Sequence, residues 1–140
     1  VNEIVRRHTS IGASLGLAVL TLGVFGFSQN IGPESCVRRY HDAVRRRAWG
    51  EVQATLLQDL QSYGPIALTE GVADMMSRGL QPRVRRTVRD PDAVYVVVSY
   101  VDGEGVSRQD LNYILVATRS GWRIDADMTL IRFRRSLGVY

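Results

Sequence analysis

Tyr40 and His41 are neighbours on a stretch with helical apolar spacing, and a buried histidine beside a phenol can pass protons near neutral pH. The plainer reading of the same pair is two rings packed against a sheet, and the spacing favours it. Asp125 and Asp127 alternate with Trp122, Ile124, Ala126 and Met128, so both should face away from the helices as partners for the arginines of 83–89. Asp110 stands at a strand start and reads as a turn residue. Cys36 is a lone thiol near a helix start, where the dipole could lower its pKa; a buried small residue is the simpler expectation. The two histidines, His8 and His41, make no metal-ligand cluster. There is no phosphate loop and no dinucleotide fingerprint, and Gly103-Glu104-Gly105 reads as a hairpin. The expectation is therefore no catalytic residue, no metal and no cofactor.

Arginine is the other residue type whose placement invites a function. The chain has 140 residues and a net charge of +4, and all 18 of its Lys+Arg residues are arginine. Guanidinium forks bind carboxylates and phosphates in pairs of hydrogen bonds. Arg83, Arg85 and Arg89 can share one face of a strand, and Arg132, Arg134 and Arg135 crowd the C-terminal tail. Only Phe133 stands among them as an aromatic platform, which argues against nucleic acid. These six arginines point instead to an acidic protein surface or anionic lipid headgroups. With 45% apolar and 23% charged residues, the composition excludes a disordered chain and a polytopic membrane protein, and one cysteine excludes a disulfide framework.

The elements that must position these residues fall in two groups. Pro33-Glu34-Ser35 starts a helix carrying Val37, Tyr40, His41, Val44 and Ala48 on one side. Gly50 interrupts it, Glu51 to Leu60 supply a second short helix, and Ile66 to Arg78 a third after the Tyr63-Gly64-Pro65 turn. Strand patterns then follow at 83–89, 93–101, 111–118 and 122–128, and residues 131–140 read as a basic tail. Helices followed by antiparallel strands make an α+β fold.

Residues 11–28 carry no charge. As a helix they would be about 27 Å long, close to the roughly 30 Å of a bilayer core. The segment reads as an uncleaved transmembrane anchor, with Arg6 and Arg7 favouring a cytoplasmic N-terminus and a periplasmic or lumenal domain. Gly12, Gly16 and Gly23 fall on nearly one face, a stripe suited to close helix packing. The resulting division is 1–32 tail and anchor, 33–130 folded domain, and 131–140 tail.

The helix VRRYHDAVRRRAWGEVQATL, the strand-loop AVYVVVSYVDGEG and the pair LNYILVATRSGWRID resemble the NTF2-like (cystatin-like cone) superfamily over about residues 34–130. The resemblance implies three helices on a curved antiparallel sheet of about four strands, behind one anchor helix as in VirB8-like or Mce-associated proteins. It further implies a cone that enzymes of the superfamily fit with an acid or base. A pocket there would be lined by Tyr40, His41, Tyr95, Tyr100 and Tyr113. The sequence thus leads to a non-enzymatic, single-pass membrane accessory subunit that docks to other membrane subunits. The alternative is a membrane-tethered ligand binder, or an isomerase- or dehydratase-like enzyme, using that cone.

Overall fold

The structure is a computed structural model and describes residues 31–138. Helix α1 (Pro33–Arg46) begins with Pro33 in its first turn and Glu34 near the positive end of its dipole. Its apolar stripe, Cys36, Val37, Tyr40, Ala43 and Val44, is buried against the sheet. Arg47, in the left-handed conformation at φ 55°, ends it. Helix α2 (Trp49–Thr55) and helix α3 (Tyr63–Ser77) follow.

Strands β1 (Gln81–Arg89), β2 (Val94–Val101), β3 (Ser107–Thr118) and β4 (Gly121–Asp125) form one antiparallel meander in the order β1-β2-β3-β4. Helix α4 (Ala126–Ser136) closes the described fold. Strand alternation turns Val96, Val98, Tyr100, Leu111, Tyr113 and Leu115 toward α1, where they form the core with Ile124. Tyr95, Val97, Ile114 and Val116 take the opposite, outer face.

Three expectations need correction. The first is the membrane plan. No helix among the described residues is long and apolar enough to cross a membrane. The longest, α3, has 15 residues, which is about 22 Å of helix against a hydrocarbon core of roughly 30 Å. The single-pass localisation, docking to membrane subunits through a spanning helix, the lipid contact and the accessory role built on them are withdrawn. The segment 11–28 and its glycines Gly12, Gly16 and Gly23 lie outside the described residues.

The second concerns the fold class. The described fold is α+β with four helices rather than three, and the stretch read as a basic tail is mostly α4. The strand pattern seen through Met128 stops at Asp125, because the Asp125 carboxylate accepts the Met128 amide at 3.0 Å and starts a helix. Asp125 also accepts Gln58 Nε2 at 2.7 Å. Neither Asp125 nor Asp127 pairs with the β1 arginines. Asp127 lies over the first turn of α3, so near that a Cβ at Gly64 would stand 1.7 Å from its Oδ1. α4 packs where β4 runs out. There the Ile114 amide donates to Thr129 Oγ1 at 3.0 Å, so α4 satisfies a strand edge left open.

The third concerns the arginines of β1. A bulge between Val84 and Arg86 breaks the alternation. Arg83 is paired with Ser99 and Arg86 with Val97, on the outer face, whereas Arg89 is paired with Val94, on the inner face. Arg83, Arg85 and Arg89 therefore do not form one row.

Asp125 shares the start of α4 with Gln58, whose Oε1 accepts the Ala126 amide at 3.0 Å. Asp125→Ala should lower stability by about 1–2 kcal/mol, the usual loss for an N-cap aspartate. Amide exchange should accelerate first at Met128 and Thr129. Unchanged exchange at those amides would show that the cap does not hold this helix.

Candidate functional site

Two places bring together side chains capable of chemistry. The first is the cluster beneath α1. His41 Nδ1 lies 2.9 Å from the Val37 carbonyl, which only accepts, so Nδ1 carries the proton. Nε2 is then the acceptor. Tyr100 OH lies 2.7 Å from it and Tyr113 OH 3.0 Å, with the two hydroxyls 2.5 Å apart. Tyr100 donating to His41 and Tyr113 donating to Tyr100 gives every donor an acceptor. Tyr40 OH pairs with Thr69 Oγ1 at 3.0 Å, and its ring packs edge-on to His41 and Tyr113.

Burial pushes His41 down to about 4, so it is neutral at pH 7, and pushes all three tyrosines above the usual phenol range. Tyr40, Tyr100 and Tyr113 are each 0% exposed. His41 is 4% exposed, so the whole cluster is buried in the domain as it stands. The structure brings four of the five expected pocket residues together and seals them. Tyr95 is not among them, because it lies on the outer face.

Cys36 is sealed as well. Its Sγ donates to the Trp122 carbonyl at 3.2 Å, and burial raises the thiol rather than lowering it. Among the described residues no three of His, Cys, Asp and Glu converge as metal ligands.

The second place is open. An open groove of about 510 Å³ runs between α4 and the outer face of the sheet. Its floor is Ile114 and Val116; one wall is Met128, Ile131, Arg132 and Arg135 of α4. Residues 128, 131, 132 and 135 are spaced i, i+3, i+4, i+7, so they form one stripe of the helix. A second stripe with the same spacing, Ala126, Thr129, Leu130 and Phe133, turns to the core. α4 is therefore apolar on two sides. Met128 is 47% exposed and Ile131 41% exposed on the groove side.

The tail arginines are dispersed by the helix. The Arg132 guanidinium stacks 4.1 Å over the Tyr95 ring. Arg134 turns away to donate to Tyr63 OH at 2.8 Å. Arg135 stands at the groove. On β1, Arg83 and Arg85 are exposed, while Arg89 lies 5.7 Å from the Trp122 ring centre.

The groove residues Met128 and Ile131 were missed in the sequence, where Met128 was read as a strand residue and Ile131 as tail. The signal that could have found them is the doubled helical spacing after an N-capping aspartate. The chain matches no known family, no curated protein and no solved structure. The NTF2-like resemblance therefore finds no support, and the cone enzyme and VirB8-like or Mce-associated roles it implied are set aside.

Proposed function

We propose that this chain is a non-catalytic binding domain whose site is the groove between α4 and the outer sheet face. One observation carries the reading. The open concavity, about 510 Å³ with an apolar floor and two guanidinium groups on its wall, lies within the roughly 300–1,000 Å³ usual for small-molecule sites. The burial of the His41 cluster supports the non-catalytic part, since its proton carriers are spent on one another and on Val37 rather than presented at the surface. This differs from the tethered cone binder expected earlier in both site and setting: it uses no membrane anchor and a different face of the sheet.

A neutral apolar dye such as Nile red tests the groove. The chain should bind it at one saturable site. Ile131→Trp, which fills the groove from an exposed helix position, should abolish the saturable signal and leave the unfolding midpoint in place. Absence of saturable binding, or equal binding by the variant, would sink the reading.

A further inference from the structure

We infer that the groove takes a small apolar carboxylate, with Arg135 holding the anionic end and Arg132 beside it. The inference rests on the groove reading above and names the ligand chemistry of that same site. It starts from the charge the fold leaves unanswered. No carboxylate stands within ion-pairing distance of Arg132 or Arg135 among the described residues; nine other arginines there share that state, and what marks these two is that they line the groove. Stacking on Tyr95 fixes the plane of the Arg132 guanidinium and occupies its face, which leaves the in-plane N–H fork for an anion.

Two carboxylates also border the groove. Asp125 Oδ1 accepts from the Met128 amide and the Gln58 side chain, both neutral donors, so its charge opposes an anion. Asp92, exposed in the turn before β2, stands free and opposes an anion too. The α4 wall is thus cationic at Arg132 and Arg135 and apolar at Met128 and Ile131, above an aliphatic floor. The ligand that answers both halves has a hydrocarbon body and one carboxylate, which a guanidinium can grip with two parallel hydrogen bonds.

The test titrates the full chain with 4-phenylbutyrate and with 4-phenylbutanamide, its neutral counterpart of the same shape, and follows the methyl resonances of Ile114, Met128 and Ile131. The acid should move these methyls and bind about tenfold tighter than the amide, as a charge-assisted pair requires. Arg135→Gln should remove that tenfold, so that acid and amide bind alike, with an unchanged unfolding midpoint showing that the variant is folded. Asp92→Asn should tighten the acid alone.

Equal affinity for acid and amide would overturn the carboxylate and leave the groove reading standing. No response to either compound would overturn both. Changes in the same methyls on raising protein concentration alone would give the groove to a second copy of the chain, and so overturn the ligand.

Discussion

His41→Ala should destabilise the domain by about 3–5 kcal/mol, the sum of a large-to-small cavity and the loss of buried hydrogen bonds. That is a large part of the roughly 5–15 kcal/mol that holds a domain of this size. The size follows from where the ring sits. It is 4% exposed and bridges the Val37 carbonyl to both Tyr100 and Tyr113, whose side chains are buried away from the surface. Two milder variants separate the contributions. His41→Leu keeps most of the volume but leaves the Tyr100 proton without an acceptor, a cost of about 1–3 kcal/mol. Tyr113→Phe removes the last donor of the chain while Tyr100 still donates to Nε2, so only about 1 kcal/mol is lost. Denaturant midpoints should therefore fall in the order Tyr113→Phe, His41→Leu, His41→Ala, with unchanged slopes. A His41→Ala midpoint no lower than that of Tyr113→Phe would mean that the imidazole does not anchor the network.

The same residues show what the sequence discloses and what it hides. Helical spacing is enough to place Tyr40 and His41 on the buried side of α1, because one amphipathic helix needs only its own period. The antiparallel strands after the helices are legible for a similar reason, as runs of Val, Ile and Tyr between Asp and Gly turns. Tyr95 is different. It lies in AVYVVVSYV, where both faces are apolar and parity cannot be told from composition; only pairing across from Ile114 puts it outside. The bulge in β1 is hidden likewise: its only trace is the Arg85-Arg86 doublet among four arginines and two valines, and the doublet does not say which residue is the extra one.

α4 is the largest loss. Trp122-Arg-Ile-Asp-Ala-Asp-Met alternates well enough to extend a strand, and arginines then mask the helical period. The decisive datum is that Asp125 caps, which depends on an amide three residues on and a glutamine from the α2–α3 connection. Since α4 forms one wall of the groove, misreading its start hides the candidate site as well.

Acid should weaken the fold well before its carboxylates are protonated, and His41 should be the reason. The imidazole titrates near 6.5 in the unfolded chain and near 4 in the folded one, where burial disfavours the cation and the nearby Arg45 adds to the effect. The Val37 carbonyl works the other way but does not overcome burial. Tyr100 and Tyr113, the groups facing Nε2, stay neutral throughout this range because burial raises both.

Between those two values the unfolded state binds one proton more than the folded state, so stability rises with pH there. The contribution is complete above about pH 6.5, falls as pH drops, and is gone at about 4, amounting to about 3 kcal/mol in all. Asp102 and Asp110 are held below the ordinary carboxylate range by their hydrogen bonds, so their losses begin lower still. Denaturant unfolding from pH 7.5 to 4.5 should show this slope in the wild type. His41→Leu, which keeps His8 and every carboxylate, should show a nearly flat profile across the same range. Parallel profiles for the two proteins would place the titrating group elsewhere and remove His41 as the acid-sensitive element of the core.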